Sequence, residues 1–318
     1  MAVDRQNHRL LYKIAHAYYH EDLTQAQIAK RFGLSRIKVS RLLKQAKQKQ
    51  IVHITLVPPS EDFPDLEQEL ERRFGLEEAV VVPVHNPKNP DSMVRELGPA
   101  AAECFIRRIT GNEIVGITWG TTMMAVVDAL PAQSFPDVTV VQTNGGLGPV
   151  ENLEHSTELI RRIAQKFGAR SRLLNAPGVV STREAARALK TDRHIAETLN
   201  MAAQAGIALV GLGILTPDSV LLRDGSILTK KDVDLLNRAE AVGDVALRYF
   251  DRNGGLLDLE INDRIIGLTF DQIKSIPCVI AVAGGEKKFN VIKSALIGKI
   301  PNVLVTDRAT AQKLLESE

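Results

Sequence analysis

Cysteine is nearly absent: Cys104 and Cys278 are the only two, and neither sits in a Cys-x-x-Cys pair. That excludes a disulfide framework and a thiolate metal site, and reduced thiols in a cytosolic chain are expected. Long apolar runs are missing as well. The longest, Ile207–Leu215, is about half the ~20 residues a membrane span requires, and glycines interrupt it. The first residues, Met-Ala-Val-Asp-Arg-Gln-Asn-His, lack the apolar core of a signal peptide. No low-complexity tract occurs, and neither GxGxxG, GxxxxGK[ST] nor HExxH is found, so a dinucleotide, a P-loop nucleotide and a zincin-type metal are disfavoured. A soluble cytoplasmic protein is expected, with no membrane partner, no cofactor and no metal. Its 318 residues suffice for two domains, the larger with a full core.

The densest information lies in residues 23–43. Thr24 and Gln27 have capping-box spacing, in which each side chain satisfies a free amide at a helix start. Ile28, Ala29 and Phe32 give that helix an apolar face, and Gly33 permits the left-handed backbone of a sharp turn. Ser35 is placed to cap a second helix, on which Val39, Leu42, Leu43 and Ala46 fall at core-facing i, i+3, i+4, i+7 spacing. Its opposite face carries Ile37, Lys38, Arg41, Lys44 and Gln45, with Ser40 at its edge and Arg36 in the first turn. This is the pattern of a helix-turn-helix whose second helix reads bases with its N-terminal residues. Thr24, Gln25, Ser35, Arg36, Ile37, Lys38, Ser40, Arg41 and Lys44 are the candidate DNA-contact residues.

Charge points the same way. Residues 23–50 hold eight Lys or Arg and no Asp or Glu, and residues 1–60 hold eleven basic and three acidic residues, a net of +8. The whole chain is only +2, so the remainder is −6. A basic module on an acidic body suits phosphate binding by one domain, although a solvated basic helix alone can look similar.

Ahead of this module, Leu10, Leu11, Ile14, Ala15 and Tyr18 form a helical stripe that supplies a third helix. After it, the β-branched run Ile51–Val57 predicts a strand, hence a winged module. Pro58-Pro59-Ser60 breaks the chain, which sets the expected boundary between domain 1–57 and domain 58–318. Asp65–Phe74 predicts an amphipathic helix, either a connector or part of a dimer contact. From Ala79 onward, apolar runs at Ala79–Val84, Glu113–Thr118, Asp137–Thr143, Ile207–Leu212, Cys278–Ala283 and Asn302–Thr306 predict strands. Helices are predicted between them, at Asp91–Ile109, Leu153–Phe167 and Phe289–Ile297 among others. Strands that are apolar throughout are buried on both faces, so the fold class is α/β with a parallel sheet between helices.

Ligands bind such sheets at the carboxyl ends of the strands. Those ends read Trp119-Gly120-Thr121-Thr122, Asn144-Gly145-Gly146-Leu147-Gly148, Gly211-Leu212-Gly213 and Gly284-Gly285-Glu286-Lys287-Lys288. Glycine with two hydroxyls at a helix start can hold an anion, or can be an ordinary β–α turn. Several such loops at one sheet edge suggest a small phosphorylated ligand.

With these segments in hand, the chain resembles the SorC/DeoR group of sugar-binding bacterial transcriptional regulators along essentially its whole length. The matching stretches are Leu23-Thr24-Gln25, Ile28-Ala29, Leu34-Ser35-Arg36 and Val39 to Leu43 in the basic module. Further on they are Ile117 to Thr122, Asn144-Gly145-Gly146, Ala241 to Asp244, Ala283 to Glu286 with Lys288, and Leu304 to Asp307 with Ala311. The resemblance implies a winged helix-turn-helix followed by a larger Rossmann-like effector domain related to sugar-phosphate isomerases and deaminases. It also implies a phosphorylated sugar effector, a double-stranded operator and a homo-oligomer, dimer or tetramer. Carried over by position, Gly120, Thr121 and Thr122 would hold the phosphate and Asn144, Gly145 and Gly146 would line the pocket. Asp244 would accept from sugar hydroxyls and Lys288 would pair with an anionic group. Blander roles stay open: Asp244 could cap a helix running to Tyr249, and Lys288 could be a solvated first-turn lysine.

The deaminase relatives place Asp-Gly-His after a Gly-x-Gly strand end, whereas Gly211-Leu212-Gly213 continues here as Ile214-Leu215-Thr216-Pro217. Without that acid and base, proton transfer has no carrier and a binding pocket is expected rather than an enzyme. A sugar-phosphate isomerase or deaminase with an appended basic domain is the alternative. Lys288 as a Schiff-base nucleophile lacks any neighbour in sequence that would activate it. His16 and His20 stand four apart on a helix but have no third ligand, and His155 and His194 have no partner pattern.

Overall fold

In the computed structural model the described residues are 2–54, 63–146, 150–216 and 227–317, with only the backbone described for 2–7 and 150–156. The chain divides into two compact units, Met1–Pro59 and Ser60–Glu318. The expected break at Pro58–Ser60 lies outside the described residues.

The first unit consists of α1 (Ala2–Tyr19), α2 (Gln25–Phe32) and α3 (Arg36–Gln48). Thr24 Oγ1 accepts from the Gln27 amide while Gln27 Oε1 accepts from the Thr24 amide at 2.8 Å, so the capping box closes in both directions. Gly33 takes φ 66°, and its N–H donates to the Ala29 carbonyl. Ser35 Oγ accepts from the Lys38 amide and starts α3. Leu11, Ile14, Ile28, Val39, Leu42, Leu43 and Ala46 close a shared core. The expected strand does not form over Ile51–Ile54. Gln50 turns the chain at φ 55°, and the amides of Ile51 and Val52 both fold back onto the Ala46 carbonyl, which leaves no extended ladder to pair. Thr55–Val57, the rest of that expectation, lie outside the described residues, so no wing is present among the described ones.

The second unit begins with α4 (Pro64–Phe74), β1 (Glu78–Val82), α5 (Pro90–Ile106), β2 (Ile114–Ile117), α6 (Thr121–Ala129), β3 (Thr139–Gln142), α7 (Val150–Phe167) and β4 (Arg170–Arg172). The chain continues through α8 (Arg183–Thr191), α9 (Arg193–Ala202), β5 (Ile207–Gly213), α10 (Lys230–Arg238), β6 (Gly243–Val245) and β7 (Arg248–Phe250). It closes with α11 (Glu260–Asp263), α12 (Phe270–Lys274), β8 (Cys278–Val282), α13 (Phe289–Ile297), β9 (Val303–Asp307) and α14 (Arg308–Glu316). The parallel strands run in the order β1-β9-β8-β5-β2-β3-β4.

The central strands are apolar on both faces, and alternate residues of one strand serve different cores. Ala208, Val210, Val279, Ala281 and Leu304 face a layer containing Leu296, Ala311 and Leu314. Ile207, Leu209, Ile280, Val282, Val303 and Val305 face another containing Leu97, Phe105, Val126 and Ile163. Double-sided burial is what parallel crossovers impose.

Helix α4 belongs to this body and is not a connector: Leu70 is fully buried, and Leu66 and Phe74 join the same core layer. Its Glu71 Oε1 accepts from the Ala79 amide at 3.0 Å and its Glu67 Oε1 from the Val81 amide at 2.9 Å. Two carboxylates one helical turn apart thus occupy the outward amides of edge strand β1.

Candidate ligand cavity and nucleic-acid interface

A cavity of about 390 Å³ opens at the carboxyl ends of β2, β3 and β5. Strand β2 delivers Thr118 and Trp119 to it and then turns through Gly120 into α6. Gly120 has φ 143°, a backbone disfavoured for any L side chain, and no atom stands where its Cβ would point. No side chain caps α6, so the first-turn amides of Thr121, Thr122 and Met123 have no intrahelical partner. Free amides at the positive end of a helix dipole attract an anion.

Asn144 enters from the end of β3. It is 1% exposed, its Nδ2 has no partner, and its Oδ1 accepts from Thr143 Oγ1. Asp244 lines the same cavity from strand β6, also buried at 6% exposure. One of its carboxylate oxygens accepts from the Leu247 amide at 2.9 Å, and the other is unpartnered. Burial raises its pKa from 3.8 to about 6, against the opposing pull of the Leu247 amide and the Lys288 charge. Burial likewise lowers the pKa of Lys288, which the charge of Asp244 partly restores. Gly213 lies opposite Asp244 in the β5–β6 ladder, and a Cβ there would stand 2.1 Å from Asp244 Oδ1. Only glycine lets the carboxylate lie this close to the strand.

A second cavity of about 350 Å³ lies against the same helix start and shares Thr121, Thr122 and Lys288 with the first, adding Lys88, Met93 and Val94. Among the described residues, no group of three or more His, Cys, Asp or Glu is arranged to hold a metal ion.

In the first unit, Arg36, Ile37, Lys38, Ser40, Arg41 and Lys44 are all exposed on α3: Ile37, Arg41 and Lys44 lie opposite the buried stripe, Lys38 and Ser40 flank it, and Arg36 stands in the first turn. Among the described residues, Arg36, Lys38, Arg41 and Lys44 have no ion pair, so their charge is available to an external anion. Thr24, Gln25 and Arg36 border an open groove where α1 meets the start of α2.

Comparison with known proteins agrees with both halves. The Sugar-bind model, a sugar-binding domain, matches residues 59–316, and the Sigma-70 region 4 model matches residues 13–49. The deoxyribonucleoside regulator of Bacillus subtilis (strain 168) is 35% identical over 313 residues, covering 98% of this chain and 99% of that one. The chain belongs to the SorC/DeoR family of transcriptional regulators. The full-length sorbitol operon regulator SorC from Klebsiella pneumoniae superposes with a TM-score of 0.72 at 31% identity, covering 98% of this chain and 99% of that one. A DeoR family transcriptional regulator from Listeria monocytogenes matches at 30% identity and a TM-score of 0.73 over 79% of this chain and 98% of that one. The proteins that this SorC/DeoR member resembles over its length are regulators, not enzymes.

Of the effector residues expected from sequence, the fold brings Gly120, Thr121, Thr122, Asn144, Asp244 and Lys288 to one cavity. Gly145 and Gly146 do not line it: their amides donate to the carbonyls of Ile266 and Ala176, which fixes the backbone beside Pro177. Leu147 and Gly148 lie outside the described residues. Asp244 caps no helix. It sits in strand β6, and Ala246 and Leu247 (φ 49° and 69°) form the tight turn into β7. Lys288 ends a short 3-10 turn ahead of α13 and is half-buried rather than solvated. Sequence reasoning missed Asp91, Thr216 and the Ala246–Leu247 turn. Asp91 opens α5 rather than ending a strand, so a search of strand ends passes over it.

Proposed function

We propose that residues 1–57 grip a double-stranded operator and that residues 58–318 bind a phosphorylated sugar, unchanged chemically, whose occupancy sets operator affinity. The observation that carries this reading is the convergence on one cavity of an uncapped helix start, an unpartnered Asn144 amide, an unpartnered Asp244 oxygen and Lys288. The amides of Thr121 and Thr122 with Gly120 suit the phosphate, Lys288 suits an anionic group, and Asp244 and Asn144 suit sugar hydroxyls. Thr24, Gln25, Ser35, Arg36, Ile37, Lys38, Ser40, Arg41 and Lys44 face the duplex, with bases read from the first turns of α3. A homo-oligomer presents paired recognition helices, and the ligand-favoured arrangement changes their spacing against half-sites one helical turn apart.

A panel of sugar phosphates tested by thermal shift, beside the free sugars and inorganic phosphate, checks the ligand. A cognate sugar phosphate at 100 times its Kd adds about 2.7 kcal/mol of stability, whereas the free sugar adds far less. Equal shifts from sugar and sugar phosphate would remove the role given to the α6 start. Turnover of any of them at ordinary enzyme rates would remove the sensor reading itself.

A further inference from the structure

Ile37 is the anomaly on the otherwise polar exposed face of α3. Its side chain is 74% exposed, more than any other large apolar residue described, while Leu11, Ile14 and Ile28 of the same unit are fully buried. At about 100° per residue, Ile37 lies opposite the centre of the stripe formed by Val39, Leu42, Leu43 and Ala46. It occupies the second position of α3, directly after Arg36 and the Ser35 cap, so the fold fixes its height on the helix. Arg41 and Lys44, on the same outer face further along α3, have their cationic ends uncommitted. Helical side chains lean toward the helix N-terminus, so Ile37 is carried beyond its own Cα toward whatever the first turn meets.

An apolar side chain centred among cations on a DNA-reading helix has one apolar target in the major groove that distinguishes bases, the C5-methyl of thymine. We infer that Ile37 is a specificity-determining residue that packs on a thymine methyl group in each half-site, with Arg41 and Lys44 taking the neighbouring polar or phosphate groups. The inference rests on the operator-binding reading above and names what one of its residues recognises. Burying one methyl against Ile37 is worth about a 3- to 5-fold change in affinity per site.

The test uses the full chain. A high-affinity duplex is selected from a random pool, and each of its thymines is replaced in turn by deoxyuridine, which removes the methyl group alone. Dissociation constants are measured at one salt concentration for the native chain and for Ile37→Ala. One thymine per half-site should lose about 3- to 5-fold with the native chain and less than about 1.5-fold with Ile37→Ala. Because Ile37 is exposed, the variant keeps the native melting temperature, and Ile37→Ser gives a second, independent readout. A uracil scan that is flat with the native chain overturns the assignment, as does a methyl effect that persists in both variants. A chain that prefers no selected duplex over random DNA overturns both this assignment and the operator reading, and the first arm of the experiment reveals that separately.

Discussion

Asp244 carries a buried carboxyl group whose ionisation costs stability. One of its oxygens has no donor. Because folding raises its pKa from 3.8 to about 6, the folded chain holds a proton that the unfolded chain releases between those values. Stability therefore falls as pH rises from about 4 to 6, and the loss is complete above that range. Asp244→Asn keeps an acceptor for the Leu247 amide and removes the charge. It should be more stable than the native chain by about 2–3 kcal/mol at pH 8 and no different at pH 4, as read by urea unfolding at both values. In the same variant, stabilisation by a cognate sugar phosphate should shrink. Equal stability of the two chains at pH 8 would mean that the carboxylate finds a donor in solution. His16 joins Glu21 at 3.2 Å and its ring stacks on that of His20, an exposed local contact.

At the scale of elements, edge protection by α4 makes a separate prediction. Unpaired edge amides recruit further strands, and Glu67 and Glu71 cover two of them on β1. Removing both in Glu67→Ala/Glu71→Ala should cost about 1–3 kcal/mol per lost charged hydrogen bond and promote self-association, measured by urea unfolding and sedimentation. A variant that keeps native stability and mass distribution would show that water replaces the carboxylates without loss. The elements themselves were unevenly legible. Helix α13 and the long apolar strands β5 and β8 carry enough residues for their periods to be read. Strands β4, β6 and β7 have three residues each, too few for any period, and only pairing with neighbours makes them strands. The β6–β7 hairpin is further held by Arg248, whose buried guanidinium donates to the carbonyls of Leu268, Asn262 and Gly267. An arginine among apolar residues reads from sequence as exposed, so this anchor was invisible there.

For the whole molecule, the division of charge is the determining property: a net of +8 in residues 1–60 and −6 in the remainder. Repulsion between DNA and the acidic part leaves the first unit as the region a duplex approaches, at a rate and affinity that fall with salt. Lys44→Ala should weaken binding to selected and random duplexes alike and lower the slope of log K against log salt by about 1, measured by anisotropy titration. A loss confined to the selected sequence would instead place Lys44 on a base edge. No helix among the described residues is long and apolar enough to cross a membrane, which agrees with the short apolar runs of the sequence.

What the sequence determined alone was local: the caps at Thr24 and Ser35, the Gly33 turn, the core stripe of α3, and the alternation of apolar strands with helices. Each depends on residues within a few positions of one another, where backbone sterics and side-chain spacing decide the outcome. The tertiary structure decided which strand ends meet. Asn144 and Asp244 are 100 residues apart, and only the strand order, the β5–β6 ladder and the Ala246–Leu247 turn bring them to one cavity. It also separated Gly145 and Gly146 from that cavity, because their amides had partners on the 176 and 266 segments that no local pattern announces. Hydrogen-bond satisfaction over such distances follows from packing, and packing is settled only when the chain has closed on itself.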